Sequence, residues 1–425
     1  MVRRRTAAPL RGAAQISAAG ARPWVSIRPS VVANQAIGGN VLARVRVGRW
    51  ESHGMRGVSP AGVLSWWRAP RDARTLARSA EALVAAVMID GVSGSTSERA
   101  GLGAMSVAGK RVLVTGGAGF LGAPVCRLLQ VRGAAEVIVP RRHEVDLTDA
   151  RAVASLFEDT RPQVVLHLAA EVGGIGANRD NPGRFFYANM AMGLNVIEQA
   201  RLHHVEKLVQ VGTVCSYPKF TPVPFSEQNL WDGYPEETNA PYAIAKKALL
   251  VMLHGYRQQY GFRGIFVMPT NLYGSGDNFD PSTSHVIPAL IRKCEEARLR
   301  GEREIVCWGT GSASRDFLYV DDCAQAIVAA AERYDSHEPI NIGVGKEITI
   351  RELVALIADA TGFEGEIRWD ATKPDGQPRR AVDTSRAARE LGFRAETDFV
   401  EGLKRTVVWF RDHVRADTAL RVAAS

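Results

Sequence analysis

Residues 110–122 read KRVLVTGGAGFLG. Arg111 to Val114 is a short apolar run, as a strand buried on both faces of a parallel sheet should be. It enters a glycine turn, and a helix is expected from about Phe120 to Arg132. Gly116, Gly119 and Gly122 stand at GxxGxxG spacing. The first allows the tight turn, the second lets backbone approach a pyrophosphate, and the third lets helix pack on strand. The N-terminus of the helix then faces the phosphates. A glycine triplet alone is a weak signal, but strand before and helix after make it specific for a dinucleotide.

Outward from this turn, the chain alternates. Strands are expected at Glu136–Val139, Gln163–Leu168, Lys207–Val211 and Gly264–Met268. Long helices are expected at Pro182–His203 and within Thr238–Tyr260. Strands alternating with long helices mean an α/β fold with a Rossmann-type, doubly wound parallel sheet. After Tyr273 the pattern becomes less regular. That divides the chain into a dinucleotide domain over 105–274 and a smaller α/β substrate-binding lobe over 275–425, with segments returning to the first domain.

At the end of the second strand an acidic residue would grip the ribose 2′-hydroxyl of NAD. Here Pro140 is followed by Arg141 and Arg142. Guanidinium groups suit a 2′-phosphate, so NADP(H) is the expected cofactor. The bland alternative is an exposed basic loop. Asp146 follows, where its side chain could face the adenine amine.

The net charge of +8 invites a nucleic-acid reading, and its distribution argues against one. Residues 1–104 hold 15 Arg, no Lys and 5 acidic residues, a net of +10, which leaves the remainder at −2. No nucleic-acid partner is expected. No run of 18 apolar residues exists, so no membrane span is expected. Five Cys without a CxxC pair point to a reducing, cytoplasmic setting and not to a disulfide framework or a metal site. The leader 1–104 has no clear core periodicity, apart from one possible helix over Thr75–Asp90. An Arg-rich leader can be a transit peptide, a disordered arm, or codons read upstream of the true start. The lack of pattern favours the last, with Met105 just ahead of the first strand.

Tyr242 and Lys246 in NAPYAIAKKA stand four apart, on one face of a helix. A phenol near pKa 10 is a poor acid–base at neutral pH, and an adjacent ammonium is expected to lower it. The pair alone is a weak signal. It gains meaning by following a dinucleotide turn.

GGAGFLG, His167–Ala170 (HLAA) and YxxxK together resemble the extended short-chain dehydrogenases/reductases. Within that family, EVGGIGAN from Glu171, VCSYPK from Val214, MPTNLYG from Met268, DNFDPSTSHVIPAL from Asp277, WGTGSASRDFLYVDD from Trp308 and KPDGQPRR from Lys373 resemble the GDP-L-fucose synthases. The resemblance covers 105–415. It implies a bifunctional enzyme that epimerises GDP-4-keto-6-deoxy-D-mannose at C3 and C5, then reduces the C4 ketone with NADPH. Carried over residue by residue, it implies a catalytic set of Thr213, Cys215, Tyr242, Lys246 and His285. Thr213 stands where the family has Ser or Thr.

The chemistry suits those residue types. Inverting a carbon alpha to a ketone needs an acid and a base on opposite faces, and Cys215 and His285 match the family's pair. Thiol and imidazole both titrate near neutral pH in their unperturbed state. Cys215, two residues after Thr213 on an extended chain, would share its side. Read alone, Cys215 would be a small buried apolar residue. The resemblance also implies cofactor contacts from Gly116, Gly119, Phe120, Leu121, Gly122, Arg142, Asp146, Ala169, Tyr242, Lys246, Pro269, Asn271, Leu272 and His285. It implies substrate contacts from Lys293, Trp308, Arg315 and Asp375. Trp308 can equally stack on guanine or pack the lobe. Arg380 has no assigned role. A homodimer through helices 182–203 and 240–260 is implied.

Overall fold

The computed structural model describes residues 105–373 and 375–415. The leader and its expected helix lie outside them. In chain order the nucleotide-side elements are β1 (Arg111–Thr115), α1 (Gly122–Val131), β2 (Glu136–Ile138), α2 (Ala150–Thr160), β3 (Val164–His167), α3 (Ile175–Asp180), α4 (Pro182–Leu202), β4 (Lys207–Val211), α5 (Ala240–Tyr260) and β5 (Gly264–Pro269). There follow β6 (Asn271–Tyr273), α6 (Val286–Arg300), β7 (Glu304–Trp308), β8 (Ser314–Arg315), β9 (Phe317–Tyr319), α7 (Val320–Arg333) and β10 (Ile340–Ile342). The last are β11 (Ile348–Thr349), α8 (Ile350–Thr361), β12 (Glu366–Asp370), α9 (Ser385–Leu391) and α10 (Phe399–Phe410).

Six strands form one parallel sheet in the order β10-β5-β4-β3-β1-β2. The expected Rossmann-type α/β fold is present. Side chains alternate across the pleat, so each strand feeds two cores. Val112, Val114, Leu166, Val209 and Val267 pack with Val125 and Leu129 of α1 and Ile327 of α7. Leu113, Val165, Leu208 and Phe266 pack with Phe157 of α2, Ile197 of α4 and Leu249 of α5. A third core, with Ile291 of α6, Ile305 of β7, Leu353 of α8 and Leu403 of α10, lies among the later elements. The chain nevertheless returns to the main sheet, because β10 pairs with β5.

Several boundaries move. The first helix starts at Gly122 and not at Phe120, because the turn itself occupies Gly116 to Leu121. Helix α2 had no expected counterpart; its start is set by Asp149, whose carboxylate accepts from the Arg151 and Ala152 amides. Among the described residues, no helix is long and apolar enough to cross a membrane.

Candidate active site

Every candidate site residue lines one cleft of about 1870 Å³ at the carboxyl ends of the parallel strands. Ligand sites in open α/β sheets form there. At its floor, Gly116 has a φ of +72°, the left-handed region that glycine tolerates. A Cβ on Gly122 would come within 2.1 Å of the Gly116 carbonyl oxygen, so helix and turn can meet only through glycine. A Cβ on Gly119 would meet only that same oxygen, at 3.3 Å. The residue before α1, Leu121, offers no side-chain cap. Ala123 N–H already donates to the Gly119 carbonyl at 3.0 Å and Pro124 has no N–H, so the Gly122 amide is the first-turn donor left for an anion. This cradle fits a dinucleotide pyrophosphate.

Phe120, Ala169, Pro269, Asn271 and Leu272 line the same cleft. The Asn271 amide donates to the Asp316 carbonyl at 2.9 Å, which ties β6 to β9. At the outer end, Arg142 does not stand free. Its Nη2 lies 3.0 Å from Oε1 of Glu171, which also takes Arg184 at 2.8 Å. Asp146 accepts from the backbone and hydroxyl of Thr148, and these bonds hold its carboxyl below the usual range. Glu171 opens one of the motifs quoted above, but its partners could not be read from the sequence, because the ion pairs join the loops after β2 and β3 to the first turn of α4.

Lys246 is buried, and its Nζ donates to the Val211 carbonyl at 3.2 Å. Burial lowers its pKa to about 8. The ammonium lies 5.9 Å from the centroid of the Tyr242 ring. The expectation of a lowered Tyr242 phenol is not met. Burial raises it, the neighbouring Cys215 adds to this, and only a hydrogen bond with Thr213 opposes them.

The chain at Cys215 is not extended. Val214–Ser216 forms a 3₁₀ turn, with Thr213 Oγ1 accepting from the Cys215 amide at 3.2 Å. The turn still brings Thr213 and Cys215 to the cleft beside Tyr242. Arg380 Nη1 donates to Cys215 Sγ at 3.5 Å, a contact no spacing argument could find across 165 residues. His285 immediately precedes α6, whose first residue is Val286. Its ring is open to the cleft, so the desolvation that lowers its pKa comes from the cleft walls, helped by the Arg380 charge.

The far end of the cleft is cationic. Arg380 is buried and Arg315 half-buried, and desolvation with the Arg380 charge lowers Arg315 to about 10. Among the described residues, neither guanidinium has a carboxylate within ion-pair distance. A diphosphate would supply the missing counter-charge. Lys293 donates to the Val306 carbonyl at 2.6 Å. Trp308 is 68% exposed, which favours a stacking surface over lobe packing. Asp375 ties its own loop to Thr310, accepting from the amide at 2.7 Å and the hydroxyl at 2.8 Å.

The pattern of the NAD dependent epimerase/dehydratase family matches residues 112–343. The GDP-L-fucose synthase 1 of Arabidopsis thaliana is 44% identical over 310 residues, covering 73% of this chain and 96% of the relative. The GDP-L-fucose synthase of Escherichia coli (strain K12) is 42% identical over 313 residues, covering 72% and 97%. The chain belongs to the GDP-L-fucose synthase branch of that family. A crystal structure of a GDP-L-fucose synthetase from Naegleria fowleri bound to NADP superposes with a TM-score of 0.69 at 29% identity, over 74% of this chain and 98% of that one. As a member of this family, the chain uses a nicotinamide cofactor.

Proposed function

We propose that this GDP-L-fucose synthase family member converts GDP-4-keto-6-deoxy-D-mannose to GDP-L-fucose by epimerisation at C3 and C5 and reduction of the C4 ketone, with NADP(H) as cofactor. The observation that carries the reading is that Thr213, Cys215, Tyr242, Lys246 and His285 line one cleft shared with the dinucleotide cradle. Thr213 and Tyr242 hold the ketone oxygen, which stabilises the enolate formed when an alpha proton leaves. Cys215 and His285 move those protons. The bound cofactor supplies hydride to the sugar C4. Tyr242 then gives its proton to the C4 oxygen, and the Lys246 ammonium stabilises the phenolate left behind. Arg142 holds the 2′-phosphate, while Arg315 and Lys293 hold the substrate diphosphate.

The reading divides the chain near Gly274, with cofactor contacts mainly before it and substrate contacts mainly after it. It includes a cytoplasmic setting, in keeping with five free cysteines. It also includes a homodimer through α4 and α5, whose surfaces expose Tyr187, Leu194, Leu202, Val251 and Tyr260. Sedimentation of Leu194→Glu beside wild type checks the dimer: only the variant should run as a monomer.

The direct test is incubation with GDP-4-keto-6-deoxy-D-mannose and NADPH, followed by analysis of the product sugar. L-fucose is expected. NADPH oxidation that yields an unepimerised 6-deoxyhexose would assign the chain to another reductase of the same fold.

A further inference from the structure

Three buried polar side chains form one row across the central sheet, and the reaction described above uses none of them. Register pairs Thr115 with His167, and His167 with Gln210; the row continues to Phe266. Alternation puts all three on the face of Leu113, Val165 and Leu208, which α4 and α5 cover. Each is fully buried. Lys246 reaches the row from α5. The Val211 carbonyl that accepts its Nζ also accepts Gln210 Nε2 at 2.8 Å.

The hydrogens in this row can be counted. Thr115 Oγ1 accepts from the Ala169 amide at 3.4 Å and lies 2.6 Å from His167 Nδ1. Among the described residues no other acceptor lies within hydrogen-bond distance of the hydroxyl, so its hydrogen is assigned to Nδ1 and the ring proton to Nε2. Among the described residues, neither His167 Nε2 nor Gln210 Oε1 has a hydrogen-bond partner. A buried donor and a buried acceptor thus stand unmet on neighbouring strands about 4.8 Å apart. Leaving such groups unpaired costs about 1–3 kcal/mol each. One water between them would meet both, accepting from Nε2 and donating to Oε1. Its remaining lone pair can take a second N–H of Lys246. Three polar partners are what a buried water ordinarily has.

We propose that Thr115, His167 and Gln210 hold one buried water that solvates the Lys246 ammonium, which makes them positioning residues for that lysine. The proposal rests on the reading that Lys246 works as a charged group beside Tyr242. Burial and the Lys246 charge keep His167 neutral, with a pKa of about 3, so the row adds no second cation. The titratable groups facing Lys246 are Tyr242 on its own helix and His167 on β3. The water offsets part of the desolvation that would otherwise strip the ammonium of its proton near neutral pH.

The first test is a crystal structure of the full chain at a resolution that shows ordered water. One water within hydrogen-bond distance of His167 Nε2, Gln210 Oε1 and Lys246 Nζ is expected. A row without water, or a direct Nε2–Oε1 bond, overturns the proposal. The second test is the pH profile of NADPH oxidation in His167→Leu, with Thr115→Val as the milder variant. The alkaline limb should move to lower pH by about half a unit or more, and His167→Gln, which restores a donor, should move it back. If these variants lower Tm and leave the limb in place, the row is packing only and the positioning role fails. A wild-type chain that holds the water but does not turn over counts against the proposed function and not against the water site.

Discussion

The guanidinium of Arg380 donates to the sulfur of Cys215 at 3.5 Å, while its Nε donates to Gln377 Oε1 at 3.0 Å. Gln377 in turn donates to the Lys219 carbonyl at 2.9 Å, so the cation is fixed in place beside the thiol. A cation hydrogen-bonded to sulfur stabilises the thiolate that remains when Cys215 gives up a proton. Arg380→Met should therefore slow exchange of the sugar C3 and C5 protons with solvent by about tenfold or more. NMR in D₂O reads this directly. Arg380→Lys should retain part of the rate, and an unchanged rate in Arg380→Met would remove Arg380 from the chemistry.

Arg142 is shared between Glu171 and the open cleft. A 2′-phosphate has to draw it away from that carboxylate. Arg142→Ala should raise the apparent constant for NADPH and leave that for NADH nearly unchanged. Glu171→Gln should lower the NADPH constant, because the arginine no longer has a competing partner. Steady-state titration with both cofactors checks the pair; equal shifts for NADPH and NADH would show that Arg142 does not read the phosphate.

Asp335 anchors the amino ends of β4 and β5 by accepting from Lys207 at 3.0 Å, Arg257 at 2.8 Å and Arg263 at 2.8 Å. Although partial burial opposes it, these hydrogen bonds and charges bring the Asp335 pKa down to about 2. A carboxylate depressed in the folded state stabilises above its unfolded pKa, and the stability is lost as pH falls towards 2. Lys207 has the opposite character: burial lowers it to about 8, so folding relative to the unfolded chain improves as pH rises from 8 towards its ordinary value. Asp335→Ala leaves the Lys207 ammonium buried without its carboxylate and should cost roughly 3 kcal/mol. Urea unfolding at neutral pH and near about pH 2.5 would show the cost shrinking in acid, because the carboxylate's contribution is lost between its unfolded value and about 2.

How much of this was readable beforehand depended on range. The turn from β1 to α1 was legible because its constraint is local: three glycines fix a backbone path within seven residues. Tyr242 and Lys246 were legible because helical spacing places them. Strand β10 was not, since three residues, Ile340 to Ile342, carry no period and find their place only by pairing with β5. The 3₁₀ turn at Cys215 was missed because Thr213 caps it locally, overriding the extended path that follows a strand. The raised Tyr242 phenol was missed because burial, which sequence does not report, outweighs nearby charge. Arg380, Glu171 and Gln210 act through contacts that cross the fold; Arg380 and Glu171 lie in motifs that carry the resemblance, but nothing in the sequence showed their partners.

The central claim is that proton transfer at carbon and hydride acceptance at the ketone use different side chains within one cleft. It is tested most directly by measuring deuterium incorporation at C3 and C5 alongside NADPH consumption, in Cys215→Ser and in Tyr242→Phe. Serine keeps the size of cysteine but is a far weaker acid, so exchange in Cys215→Ser should fall by about 10²–10⁴-fold while NADPH is still consumed. Tyr242→Phe should abolish NADPH consumption and retain some exchange, because Thr213 still holds the ketone oxygen. Wild-type exchange of both protons in Cys215→Ser would contradict the account and leave Cys215 as a packing residue.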